Sequence, residues 1–452
     1  MALLHELSEY AVAEVGRGPN PEVARHAKRA LLDWLAALYP GTLCAPSRQL
    51  VQACRDEMGV GASSVVGVGT TAFAATAAWI NGSASHAVEY DDIYREAVYH
   101  PGSPTVAAAL AVAEARDVHG RELLSAIVVG YEIATRVGAA MQPSHIRHFH
   151  ATGTIGCIGA AAAAAVLLTP RDAEAVRHAV ATASSFASGL QQALRSDAMT
   201  KPLHAGHAAA VGVRAAQAAA HGVTGAADIL EGEVGLGAAM ARQCDWTRVT
   251  EGLGEHYNIA RITHKIHACC GHIFPAIDAA LALRVRHDLT PDRIASIDIA
   301  TYPQAIEATG RFDPRTAYEA KFSLPYATAH ALVHGAVRLD AFVPERVSSA
   351  SVQSLIRRVT LSADPAFAAV FPARRDTRVT ITTIDGGQFT ETVAFRRGDP
   401  ELPLSDAELD AKFDELSGPV IGAARAGTLR TKVWQLDEFR VRDLGLSATH
   451  VQ

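Results

Sequence analysis

Positive charge is in short supply: 41 lysines and arginines stand against 47 aspartates and glutamates, a formal charge of −6. Without a basic surplus there is little to neutralise a phosphate backbone, which argues against a general nucleic-acid binder. Cysteine is also scarce, with six in 452 residues and no C-x-x-C pair among them. That excludes a disulfide framework, and the spacing suits neither a zinc ribbon nor a three-thiolate iron–sulfur cluster. Long apolar runs are missing too. The longest, "IGCIGAAAAAAVLL" from Ile155 to Leu168, falls short of the roughly 20 residues a bilayer span requires. No basic start leads into an apolar core and a small-residue cleavage site; "MALLHELSEYAVAEVG" reads as an amphipathic helix, so a cytoplasmic protein with no membrane partner is expected.

What is present is an ordinary globular composition, 49% hydrophobic and 19% charged, in a chain of 452 residues. That length predicts two domains. Up to about residue 255 the chain reads as successive alanine-rich helices. In "NPEVARHAKRALLDWLAALYPG" Asn20 caps, Pro21 fits the first turn, and Val23, Ala27, Ala30, Leu31, Trp34, Leu35 and Leu38 form one apolar stripe ending at Pro40-Gly41. Further helices are predicted near Ala72 to Ile80, Pro104 to Ala115, Gly120 to Met141, Ile155 to Leu168, Arg171 to Ala187 and His204 to His221. From about Ser296 the texture alternates: "SIDIATYP", "VSSASVQSLIRRVTLSAD" and "RVTITTIDGGQFTETVAF" predict strands, with a hairpin at Asp385-Gly386-Gly387 and a helix over Ser323 to Leu339. Helical periodicity returns from Ser405. The predicted fold is mainly α: a large all-helical domain (residues 1–255 and 402–452) with an inserted, smaller α+β lid domain (256–401).

Four stretches gather ionisable residues at the ends of apolar helices, where a rigid scaffold would carry a site. "NGSASHAVEYDDIYREAVYHPGSP" holds His86, Glu89, Asp91, Asp92 and His100, without the spacing of a calcium loop or a tight zinc motif; the bland alternative is a capped, solvated loop. "RHFHATGTIG" ends with His150 ahead of a helix start, where it would serve as a cap if it has no chemical role. "MTKPLHAGHAA" puts Lys201 ahead of a helix expected near His204, a cation opposing the helix dipole until an anion faces it. "KIHACCGHIFPAID" holds Lys265, His267, Cys269, Cys270 and His272. Adjacent cysteines diverge and no C-x-x-C pair stands at a workable spacing, so lysine and histidine here suit carboxylate binding and proton transfer better than a metal.

Taken together, "NGSASHAVEYDD" with "HPGSP", "HATGTIG", "MTKPLHAGHAA", "KIHACCG" with "AID", and "EAKFSLPYATAHAL" resemble, in order, the MmgE/PrpD superfamily of 2-methylcitrate dehydratase, cis-aconitate decarboxylase and iminodisuccinate epimerase. The resemblance implies the helical domain with inserted lid already outlined, a homodimer, no metal and no cofactor. It carries catalytic roles to His100, His150, Lys201 and Lys265, and substrate contacts to Glu89, Asp91 and Asp92, with His204, Cys270 and His272 beside them. Three departures stand out. Glu89 replaces the usual aspartate, one residue is added before His100, and Cys270 sits five positions after Lys265 where the decarboxylase has histidine. His272 and Phe274 also stand where the family's histidine after "CCG" is displaced.

The chemistry shared by that family is negative charge developing at a carbon next to a carboxylate. The lysines would neutralise carboxylate charge, one of the two histidines His100 and His150 would take the proton, and the other would assist hydroxide departure. A metal-free hydro-lyase of the 2-methylcitrate dehydratase type, acting on a small di- or tricarboxylate, is therefore expected. Decarboxylation of a cis-aconitate type substrate and iminodisuccinate-type epimerisation are the nearest alternatives. A non-catalytic protein stabilised by zinc on His145, His148, His150, Cys269, Cys270 and His272 is the alternative of another class.

Overall fold

The computed structural model describes residues 3–196 and 198–448. The chain divides into two compact units, one comprising the chain up to Thr263 together with the segment from Ser405 onward, the other running from His264 to Leu404. The sequence pattern had set these joints at 255/256 and 401/402. The strand texture that prompted the first boundary begins only after the linking turns, and the capped helix that closes the second unit starts at Ser405.

The first unit is mostly helical, and its core forms where alanine lets helices approach closely. Helices Ala74–His86, Gly102–Arg116, Gly156–Leu168 and Thr200–Ala219 pack on one another. A β-carbon on Gly206 would strike Trp79 O and Ser83 Oγ, and one on Gly212 would strike Ala160, so the last helix touches two neighbours backbone to backbone. Helices Gly120–Ala140 and Ala151–Leu168 are long and apolar enough by composition to cross a membrane, but their apolar windows are 100% and 94% buried inside the protein. They are core helices of this unit.

Local signals explain most helix ends. Asn20 Oδ1 accepts from Val23 N at 2.9 Å and opens Pro21–Thr42, which runs through Pro40 for two residues beyond the expected stop. Ser405 and Glu408 close a reciprocal capping box on Asp406–Ile421. Three expectations are corrected. The first unit is not wholly helical: β1 (Met58–Val65) pairs antiparallel with β2 (Thr70–Ala72), and glycines in "MGVGASSVVGVG" supply its left-handed turns, Gly67 at φ 80° among them. Ala72 thus ends a strand, and the helix starts at Ala74. The helix expected near His204 begins at Thr200, so Lys201 lies in its first turn.

The second unit carries a four-stranded sheet in the order β4-β3-β5-β6, with β3 Ile294–Thr301, β4 Val359–Ala363, β5 Thr377–Thr383 and β6 Gln388–Val393. β3 and β4 are parallel, while the β3–β5 and β5–β6 pairs are antiparallel. Gly386, at φ 88°, turns the β5–β6 hairpin. Along β5 every second residue is buried, and helix Phe274–Arg286 covers that side. Part of "VSSASVQSLIRRVTLSAD" is a helix, Ala350–Ile356, because Val352, Leu355 and Ile356 bury at helical spacing; only its end forms β4. The helix Leu324–His334 stops at Gly335, φ 77°, short of the expected Leu339.

Candidate active site

In the first unit, three of the four stretches meet. Helix Ala74–His86 ends at His86, the loop beyond it carries Glu89, Asp91 and Asp92, and His100 precedes helix Gly102–Arg116. His86 Nδ1 lies 2.7 Å from Asp91 Oδ2, which also accepts from Ser103 Oγ at 2.8 Å and faces His100 Nδ1 at 3.4 Å. The His86 ring stacks on His150 with centroids 5.5 Å apart and meets His100 edge-on at 4.8 Å. His150 Nδ1 in turn lies 3.0 Å from Nδ1 of His204. Four histidines and a carboxylate therefore form one cluster. It is not a solvated loop: His86, Glu89, Asp91, Asp92 and His150 are all buried.

Lys201 donates to Glu89 Oε1, and both are buried. The anion that offsets a lysine in the first turn of a helix is thus supplied within the chain, where the sequence reading had reserved that place for a ligand. Glu89 is held in the left-handed region at φ 60°, a conformation costing a non-glycine residue roughly 1 kcal/mol, which the lysine contact and the surrounding packing must offset.

Burial dominates the electrostatics. It draws His86 down to about 4 against the pull of Asp91. It draws His150 well below the ordinary histidine range, helped by His86 and Lys201. His204 is lowered by burial and by Lys201. Burial would raise Asp91, but His86 and His100 outweigh it and hold that carboxyl well below the usual range. Asp92 goes the other way: burial and nearby Asp33 push it up to about 8. Burial thus favours the neutral forms of His86, His150, His204 and Asp92, while the contacts with His86 and His100 favour the ionised form of Asp91.

Asp92 has both oxygens engaged inside the fold. Its two oxygens accept from Gly102 N at 2.9 Å and from Tyr131 Oη at 2.7 Å, fixing the turn that follows His100. A second strut stands behind the acidic loop, where Lys412 from the C-terminal helix lies 2.6 Å from Asp33 Oδ1 and donates to Tyr90 O at 2.9 Å. His86, Ser103, Tyr131, Asp33 and Lys412 were outside the expected site set. Only His86 had a usable signal, five residues before Asp91 at the end of a buried helix.

The donor atoms of His86, Asp91 and His100 lie within 4.8 Å of one another, close enough by distance to share a cation. The short His86–Asp91 contact is a hydrogen bond that already occupies one nitrogen and one oxygen of that set. The zinc set of the alternative reading fares differently. His145 has both nitrogens engaged, with Met240 O at 3.1 Å and Thr154 Oγ1 at 2.8 Å, and His148 is exposed.

The second unit holds the fourth stretch. Lys265 and Cys269 are buried and Cys270 is half-buried. His267 Nε2 lies 3.0 Å from Asp278 Oδ1, while Asp278 Oδ2 accepts from Arg397 N, so this histidine and the "AID" aspartate brace the fold. His272 faces Tyr302 and Arg375.

Residues 5–249 match the MmgE/PrpD N-terminal domain and residues 267–438 the MmgE/PrpD C-terminal domain. A cis-aconitate decarboxylase-like protein of Aspergillus oryzae is 30% identical, over 92% of this chain and 90% of its own length. The cis-aconitate decarboxylase of Mus musculus is 28% identical over 92% and 87%, and that of Aspergillus terreus 27% over 92% and 90%. Two domain matches in sequence order, on a mainly helical chain with a small α+β unit, show that the chain belongs to the MmgE/PrpD family and is a lyase.

Proposed function

We propose that this lyase eliminates water from a small di- or tricarboxylate of the 2-methylcitrate type, without a metal, through a carbanion-like intermediate next to a carboxylate. The observation that carries the reading is the pair of buried, neutral imidazoles, His86 and His150, beside a lysine–glutamate pair and an ionised Asp91. A neutral imidazole has the free lone pair that removal of a proton from carbon requires; burial weakens it as a base, and the carboxylates of an anionic substrate offset this by favouring the imidazolium. His150 takes that proton, and Lys201 stabilises the charge that develops on the adjoining carboxylate. His100, 3.4 Å from the carboxylate of Asp91, delivers a proton to the departing hydroxide. Lys265, buried in the second unit, is a second functional lysine whose loss reduces turnover, and the active form is a homodimer in the cytoplasm.

Decarboxylation is the second reading, favoured by the names of the relatives. It forms the same carbanion by losing carbon dioxide, and thus calls for a proton donor more than a base. Proton NMR in deuterated buffer with 2-methylcitrate, citrate, cis-aconitate and iminodisuccinate separates the outcomes. Water loss without gas supports the proposal. Carbon dioxide release supports the second reading, deuterium exchange with inversion points to epimerisation, and inertness toward all four refutes the substrate class.

A further inference from the structure

The second unit contains a buried cation that meets no carboxylate among the described residues. Arg375 is 4% exposed; its Nη1 lies 3.2 Å from His272 Nδ1 and its guanidinium lies over the Phe371 ring at 5.4 Å. Its Nε is buried with no hydrogen-bond acceptor. Of the nearby acids, Asp376 binds Arg374 through both oxygens, and Asp399 binds Arg396 through both of its own while favouring the Arg375 cation through space without touching it. Tyr302 and His272 complete the cluster, with Tyr302 Oη 2.6 Å from His272 Nδ1. Because His272 Nδ1 faces two donors, its own proton sits on Nε2, which becomes a further donor. The wall behind is apolar, formed by Tyr302, Ala305 and Phe367 with Phe371 packed on them.

A buried guanidinium with a neutral histidine, a neutral tyrosine and an unused N–H is a half-made bidentate pair. We propose that Arg375 and His272, positioned by Tyr302, form a carboxylate-binding site in the second unit that takes one carboxylate of a small di- or tricarboxylate. The site deepens the lyase reading by naming a substrate anchor, and rests on that reading for the identity of its ligand.

The test is calorimetric titration of the full-length protein with tricarballylate, a saturated tricarboxylate with no hydroxyl to eliminate. Arg375→Gln is expected to weaken binding by about 10- to 100-fold, the loss typical of a charge-assisted pair, and Arg375→Lys to restore only part because it lacks the planar fork. Should Arg375→Gln fail to fold, His272→Asn, which keeps the cation, is expected to weaken binding several-fold with an unchanged melting profile. His150→Ala, inert in turnover, is expected to keep an Arg375-dependent binding component. Wild-type affinity in Arg375→Gln, or no binding to the wild type at millimolar ligand, overturns the site. Turnover with Arg375-independent binding refutes the anchor and leaves the lyase reading intact; Arg375-dependent binding with no turnover of any panel compound does the reverse.

Discussion

Lys412→Met tests whether the C-terminal helix holds the acidic loop in place. Lys412 and Asp33 are each 1% exposed, 2.6 Å apart, and the same ammonium donates to Tyr90 O and lies 4.5 Å from the Tyr90 ring centroid. Tyr90 stands between Glu89, the partner of Lys201, and Asp91, the partner of His86. Removing the ammonium strips a buried aspartate of its counter-charge, which costs about 3–5 kcal/mol. It also intensifies the field on Asp92, already raised by Asp33. Asp33→Asn in the same chain removes the stranded charge, so the double variant should recover all but about 1–2 kcal/mol, the share of the lost Tyr90 bond. Urea unfolding of the four members of the cycle, followed by tryptophan fluorescence, reads the coupling. Activity reads the positioning: the double variant is expected to keep a native melting profile yet lose kcat more than KM is changed. A cost below 1 kcal/mol for Lys412→Met, additive costs in the double variant, or full kcat in a stable double variant refutes the strut.

His150→Ala is expected to abolish turnover with little change in melting temperature, and Lys201→Ala to abolish it while lowering the melting temperature, because it leaves the buried Glu89 carboxylate without its cation; retained activity removes that residue from the mechanism. His86 titrates near 4 folded and about 6.5 unfolded, so the unfolded chain binds the extra proton between those values and stability falls as pH drops through that window, by up to about 3 kcal/mol. His86→Gln should therefore flatten the acid side of a melting-temperature profile, and an unchanged slope contradicts the assignment. Asp92, near 8 folded and about 3.9 unfolded, has the opposite sign: stability falls as pH rises between them, and Asp92→Asn should flatten the profile from pH 6 to 8. Extended dialysis against a chelator should leave turnover and melting temperature unchanged; a collapse of both would favour the cation reading of His86, Asp91 and His100.

The features readable in the sequence are those whose cause is local. Asn20 and Ser405 cap the helices they precede, Gly386 turns the hairpin it announces, and the stripe from Val23 to Leu38 is buried as its period requires. Spacing failed where two local readings compete. No strand is predicted over 58–72, although its glycines bend two short strands, and Val352, Leu355 and Ile356 read as alternating β residues although they line one helix face. Three of the charged stretches that meet in the first unit were legible, but their network was not. Lys412 meets Asp33 across 379 positions and Tyr131 meets Asp92 across 39, and no periodicity carries such pairs.

The two lysine- and arginine-bearing clusters differ in a way that bears on how the protein handles anions. In the first unit the cation has its own carboxylate, because Lys201 sits on Glu89; a substrate carboxylate must displace or share that contact, and the glutamate's longer reach relative to an aspartate makes sharing easier. In the second unit Arg375 has only a histidine and a tyrosine, so a carboxylate arriving there displaces no internal anion. Anchoring at a cation that no carboxylate touches among the described residues lowers the free energy of the bound ground state and the transition state alike, whereas breaking the Lys201–Glu89 contact is repaid only as charge develops at the reacting carbon. Loss of Arg375 should therefore appear mainly in KM, and loss of Lys201 mainly in kcat. A kcat collapse in Arg375→Lys with KM unchanged would reverse the two roles.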